Sequence, residues 1–255
     1  MTEFFLNFAM QRPLPHNFIY YGGQTNIRAR CSFSEEALGM EPVVIPAILA
    51  KSREELLRRI SQVNGFVKEI QLDIMDGEFV PNKTIGIADL AAVPALKNVK
   101  YEFHWMVKDP EKWIVQMPGP HLHIVHVEAI RSFTAVENAV KKAGGRLGLA
   151  ISPETPIEKL LPLAPEAQRI LVMTVHPGFS GQKYIVAMED RIRQLRRQFP
   201  SMDIEVDGGV NTETAAGAYA AGANVLAAAS AIFAADDIKA ALANLKKCAL
   251  GGNPL

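Results

Sequence analysis

The chain has 255 residues, and its 27 Lys plus Arg balance 27 Asp plus Glu. A net charge of zero without a basic run argues against nucleic-acid and anionic-membrane partners, and neither is expected. The apolar fraction of 49% contains no uninterrupted run near the ~18 residues of a membrane span, so it fits one large domain with a substantial core.

Residues 1–40 read differently from the rest. Pro13, Pro15, Gly22 and Gly23 interrupt any periodicity. The segment reads as an N-terminal extension: a disordered arm, an interface segment, or sequence upstream of a functional start at Met40. It lacks the basic start and long apolar core of a signal peptide. Cys31 and Cys248 lie far apart, with no CxxC, which suggests a reducing compartment. A soluble, cytoplasmic protein is the expectation.

From residue 41 to 255, strand and helix patterns alternate. Val43–Ala47 is strand-like, and Ser52 with Glu55 forms a capping box for a helix through Val63. Val67–Ile74 is the second strand, followed by a weak helical pattern over Ile87–Leu96. Val99–His104 is the third strand, and Asp109-Pro110-Glu111 caps a helix through Gln116. Further strands are read at Leu122–Val127, Arg146–Ile151, Ile170–Val175, Ile204–Val206 and Asn224–Ala229. Helices are expected at Thr134–Ala143, Ile157–Leu161, Val186–Phe199, Thr212–Ala221 and Asp237–Lys247. Strands separated by helices imply parallel pairing with right-handed crossovers. A doubly wound sheet accepts the same pattern. Eight repeats with polar residues at strand C-termini favour an α/β fold of the (β/α)8 barrel type.

The second strand carries the first chemical signal. Ile70, Leu72 and Ile74 alternate with Gln71 and Asp73 before Asp76-Gly77 ends the run. A carboxylate on the inner face of a strand is costly unless it is paired or binds a metal. The seventh strand delivers Asp207 in the same way, and the third delivers His104. Two carboxylates approaching a ligand from different sides suit proton removal on one face and return on the other, provided their protonation states differ. The competing reading is two unrelated strand-end Asp residues and a hydrogen-bonded core histidine. His126 and Glu128 end the fourth strand and are either supporting or substrate-facing groups. Pro177-Gly178-Phe179-Ser180-Gly181-Gln182, Gly208-Gly209 and Ala229-Ser230 follow the last three strands, where backbone N–H groups can cup a phosphate.

The segments LDIMDGEFVPN (72–82), FHWMV (103–107), VHVEA (125–129), VMTVHPGFSGQKY (172–184), EVDGGV (205–210) and AGANVLAAASAIF (221–233) resemble those of ribulose-phosphate 3-epimerases, in order and at similar spacing. The resemblance implies a barrel that interconverts D-ribulose 5-phosphate and D-xylulose 5-phosphate through an enediolate. It implies Asp73 and Asp207 as the acid–base pair and, with His104, as ligands of one divalent metal ion (Mn, Fe, Zn, Co or Mg). It implies a phosphate cradle of Gly178, Phe179, Ser180, Gly181, Gly208, Gly209, Ala229 and Ser230, and methionines at 75, 106 and 173 lining the site. A small-molecule sugar phosphate is the expected partner, within a homo-oligomer.

Three positions depart from that pattern. Gln71 stands where the family has its other histidine ligand, Ala47 where it has a serine, and Ala229 where it has a glycine. An amide oxygen in place of imidazole favours manganese or magnesium over zinc or cobalt. Ala47 removes a hydroxyl, and Ala229 adds a Cβ near the phosphate. These changes keep two alternatives open: a metal-free, catalytically impaired phosphosugar-binding relative, and an epimerase for another ketose phosphate. A decarboxylase or aldol-type reading ranks last, because Met75 stands where related decarboxylases carry lysine.

Overall fold

The computed structural model describes residues 40–179 and 181–254. The expected extension over residues 1–39, with Cys31, and the expected phosphate contact Ser180 lie outside the described residues. Eight parallel strands pair in sequence order, and the first and last close the ring. They are β1 (Val43–Ile48), β2 (Glu69–Met75), β3 (Lys100–Met106), β4 (Leu122–His126), β5 (Arg146–Ile151), β6 (Arg169–Met173), β7 (Asp203–Asp207) and β8 (Val225–Ala228). The helices are α1 (Arg53–Val63), α2 (Ile87–Leu90), α3 (Pro110–Ile114), α4 (Phe133–Ala143), α5 (Met188–Gln198), α6 (Ala215–Ala221), α7 (Ser230–Phe233) and α8 (Ile238–Ala249). The expected (β/α)8 barrel is therefore the fold. No described helix is long and apolar enough to cross a membrane.

Strand alternation sorts side chains into two layers. Ile70, Leu72 and Ile74 face outward and share one buried cluster with Leu56 and Ile60 of α1. Gln71 and Asp73 face the barrel axis. Ile45, Ala47, Val225 and Ala227 form one apolar patch of the interior, and Leu122, Ile124, Ala150, Leu171, Met173 and Val175 another. At the N-terminal end the interior is charged. Arg169 reaches Glu102, Glu205 at 3.3 Å, Glu69 at 3.1 Å and Asp203 at 3.7 Å. Burial pushes the Glu102 carboxyl up to about 7 against the pull of Arg169. Burial and the neighbouring Glu102 push Glu205 up as well.

The helices differ from the sequence reading at several ends, each for a local reason. α1 starts as expected, with Ser52 Oγ accepting the Glu55 N–H at 3.2 Å. The reciprocal bond of the capping box goes elsewhere, since the Glu55 carboxylate accepts from Lys51 N–H at 3.0 Å. Replacing Ser52 by Ala orphans one helix-end donor and is expected to cost about 1 kcal/mol in chemical denaturation.

The helix expected through Leu96 stops at Leu90. Pro94 removes an N–H and restricts Val93 before it, so the chain continues as turns. Asp109 precedes α3 at φ +49° and makes no capping bond. Its carboxylate instead pairs with Lys112 at 2.7 Å and Arg131 at 3.3 Å. α6 begins at Ala215 rather than Thr212 because Asn211 Oδ1 accepts from Glu213 N–H at 2.8 Å and Thr214 N–H at 3.1 Å. That side-chain turn competes with helix formation. The short α7 is absent from the sequence reading, which ran β8 through Ala229.

Candidate active site

The inward side chains of β2, β3 and β7 meet at the C-terminal end of the barrel. Strands β2 and β7 are separated by β8 and β1 around the ring. Even so, one donor joins their carboxylates: Gln71 Nε2 donates to Asp73 Oδ1 at 2.7 Å and to Asp207 Oδ2 at 2.8 Å. His104 Nδ1 lies 2.9 Å from Asp73 Oδ1 and 3.4 Å from Asp207 Oδ2. The sequence placed the strands of the two Asp residues well apart around the ring, with their carboxylates able to approach a central ligand from different sides. The structure brings both carboxylates to the Nε2 end of a single amide.

A relay of side chains sits behind this group. His104 Nε2 is 2.9 Å from His126 Nε2. His126 Nδ1 is 3.3 Å from both Glu128 Oε2 and Ser152 Oγ. Glu128 Oε1 accepts from the Ser152 N–H at 2.9 Å. Burial lowers the His126 pKa and favours its neutral form. A neutral His126 that donates from Nδ1 to Glu128 must accept at Nε2. His104 must then carry a proton on Nε2 and keep Nδ1 for the carboxylates. Burial opposes charge on His104, but the hydrogen bonds to Asp207 and Asp73 outweigh it and hold the pKa at about 9. Burial resists charge on Glu128 too, yet His126 and its other donors hold that carboxyl down at about 2. Of the two roles that the sequence left open for His126 and Glu128, these hydrogen bonds behind His104 fit the supporting one. Asp73 itself is pushed upward, first by burial and then by the negative charge of Asp207.

The donor set fits a divalent cation. One ligand atom each from Asp73, His104 and Asp207 lies within 4.8 Å of the others. Gln71 Oε1 is buried and finds no hydrogen-bond partner among the described residues.

Above this group lies a cavity of about 230 Å³. Met75, Met106 and Met173 form apolar parts of its wall, while Gly178, Phe179, Gly181, Gly208, Gly209, Ala229 and Ser230 line the side formed by β6, β7 and β8. The described residues of the expected cradle therefore share one cavity with Asp73 and Asp207. Gly208 and Gly209 are required by geometry. Their φ values are +114° and +68°, and an added Cβ would come within 2.3 Å of Val175 Cγ2 or 2.7 Å of the Tyr184 backbone N. Gly209→Ala is expected to shift Tyr184 and the loop that carries the cradle. Its KM should rise at least tenfold while kcat changes little, in steady-state kinetics, because the carboxylate pair is untouched.

Ala229 behaves differently from the glycine expected there. Its φ is −106°, so its Cβ imposes no strain. Ala47 is fully buried against Ile45, Val225 and Ala227, which leaves that part of the wall without a hydroxyl. Sequence reasoning missed two loop supports. Thr174 Oγ1 donates to Gly208 O at 2.6 Å. Gln182 Nε2 donates to His176 O at 2.5 Å and Phe179 O at 3.0 Å, tying the glycine-rich loop together. A polar side chain at each edge of a Gly-rich segment was the available signal. His176 itself pairs with Glu154 at the exposed rim.

A family model described as the ribulose-phosphate 3 epimerase family matches residues 43–233. A ribulose-phosphate 3-epimerase of Eremothecium gossypii is 37% identical over 221 residues, covering 81% of this chain and 92% of its own. One of Methanocaldococcus jannaschii is 39% identical over 183 residues, covering 70% of this chain and 78% of its own. Among solved structures, a 3-hexulose-6-phosphate synthase from Salmonella typhimurium has a TM-score of 0.61 at 16% identity, covering 83% of this chain and 100% of that one. At that identity the likeness is one of fold.

Proposed function

The chain belongs to the ribulose-phosphate 3-epimerase family and is an isomerase, and from that premise we propose that it interconverts D-ribulose 5-phosphate and D-xylulose 5-phosphate, with Asp73 and Asp207 exchanging the C3 proton. The observation that carries the reading is the meeting of two carboxylates from β2 and β7 beneath a cavity whose far wall is glycine-rich loop.

The proton transfers follow from the difference between the two carboxyls. Burial and the Asp207 charge dispose Asp73 to hold a proton. The Asp207 side chain is the more exposed of the two, at 16% against 9%. In one direction Asp207 removes the proton from C3. The C–H electron pair forms the C2–C3 double bond, and the C2 oxygen takes up the negative charge. Asp73 then gives its proton to the opposite face of C3, which inverts the centre. Asp207 ends protonated and Asp73 ionised, the state that serves the reverse reaction. His104 steadies the ionised carboxylates from Nδ1, and Gln71 holds their spacing through Nε2. When bound at Asp73, His104 and Asp207, a divalent cation supplies Lewis-acid stabilisation of the enediolate oxygens. The cradle of Gly178, Phe179, Ser180, Gly181, Gly208, Gly209, Ala229 and Ser230 binds the 5-phosphate and fixes C3 between the carboxyls.

A second reading, binding without turnover, is favoured by the Gln71 amide standing between the carboxylates and by Ala47. Incubation with D-ribulose 5-phosphate in D2O separates the two. Deuterium at C3 of both pentuloses, read by proton NMR, is the expected result. Tight binding with no C3 exchange would replace the epimerase with the binding relative.

A further inference from the structure

We propose that the Gln71 carboxamide is a two-position clasp: its N–H groups face inward to join Asp73 and Asp207, and a half-turn about its last bond brings Oε1 inward to complete an oxygen-rich cation site. This inference rests on the epimerase reading only for the identity of the site. Three observations carry it.

First, Nε2 makes two bonds to carboxylates, at 2.7 and 2.8 Å, which are the charge-assisted and stronger kind. Two carboxylates set this orientation, because Oε1 turned toward them would oppose acceptor to acceptor. Second, Oε1 lies buried with no partner, and Gln71 is fully buried. No hydrogen bond holds that side of the amide in place. Third, the oxygens that accept from Nε2 belong to two of the three residues whose ligand atoms converge. A cation drawn to those oxygens displaces the N–H donors from their acceptors and attracts the free Oε1. The amide and the cation therefore compete for the same carboxylate lone pairs.

Two consequences distinguish the clasp from a passive core glutamine. The carboxylate pair keeps its spacing when the cation is removed, because a neutral donor stands between the charges. Cation binding must break two hydrogen bonds, so affinity is moderate. The completed donor set is three oxygens and one imidazole nitrogen, which suits manganese or magnesium.

The test uses chelator-stripped full-length protein and needs no substrate. Gln71→Glu keeps the shape but puts a third carboxylate where the N–H donors stood. Calorimetric titration with Mn2+ is expected to show affinity at least tenfold tighter than wild type, with a larger Mn2+-induced rise in Tm. Affinity and Mn2+ increment unchanged by the added carboxylate would place residue 71 beyond the reach of the cation, and that result would overturn the clasp. Should Gln71→Glu fail to fold without Mn2+, side-chain amide NMR of the wild type decides. The Gln71 amide pair, identified by its absence in Gln71→Met, is expected to move on saturation with diamagnetic Mg2+. An amide pair unmoved at saturation, or no binding of Mn2+ or Mg2+ at millimolar concentration, would overturn it. Loss of epimerase turnover alone leaves these readouts intact, so the two readings fail separately.

Discussion

Asp73→Asn and Asp207→Asn each lower turnover by at least ~10³-fold while leaving the barrel folded, since a positioned acid or base contributes about 10²–10⁴-fold and both also hold the charge balance of the site. Asn keeps the shape and accepts the Gln71 N–H through its own oxygen, so the amide bridge of 2.7 and 2.8 Å survives. What is lost is the ability to take or hold a proton. The variants are expected to differ in a revealing way. With one carboxyl left, the C3 proton of only one epimer remains within reach of a base. Each variant should therefore exchange C3 with D2O in one pentulose and not the other, and the preferred pentulose should reverse between variants. Exchange of both epimers by either variant would show that a different group moves the proton. Circular dichroism and Tm close to wild type would show that the loss is chemical.

Arg169→Met is expected to unfold the barrel at markedly lower temperature. Arg169 is the cation shared by Glu69, Glu102, Asp203 and Glu205, and both Glu102 and Glu205 are fully buried. Removing one partner of a buried ion pair costs about 3–5 kcal/mol because the other charge stays without compensation. For a domain of this size that is a Tm loss of about 6–20 °C. The pH dependence follows from the direction of the carboxyl shifts. The folded Glu102 pKa is about 7, above its ordinary value of 4.5, so ionising it costs folded-state stability as pH rises through that window. Without Arg169 that window moves higher, and the Tm deficit of the variant should widen from pH 5 to pH 8. A gap that stays constant or narrows toward pH 8 would show that Arg169 contributes through packing alone. Arg169→Lys should recover only part of the loss, because an ammonium cannot reach four carboxylates as a guanidinium fork does.

The strands were legible because burial on one face leaves a period of two. Ile70, Leu72 and Ile74 against Gln71 and Asp73 is such a pattern, and the structure sorts them into outer and inner layers. The candidate pair Asp73 and Asp207 was legible for the same reason, as polar residues ending strands of otherwise apolar character. Less could be read where side chains from distant strands decide the outcome. Arg169 and its four carboxylates come from β6, β2, β3 and β7, and no local pattern joins them. Gln71 was recognisable as a changed donor, but which end of its amide faces the carboxylates depends on both Asp73 and Asp207. The Ala229 φ was equally hidden, and it removes the strain that a Cβ there would otherwise imply. The helix over-extended to Leu96 shows the limit of periodicity, since Pro94 outweighed an acceptable apolar spacing.

The central claim is that this barrel epimerises a pentulose 5-phosphate at C3 with a carboxylate pair. The measurement that tests it most directly is the initial rate of D-ribulose 5-phosphate conversion to D-xylulose 5-phosphate by chelator-stripped protein, with single divalent metals added back. The account expects conversion, with Mn2+ or Mg2+ supporting a higher rate than Zn2+ or Co2+. Folded protein that gives no xylulose 5-phosphate with any of these metals would contradict it.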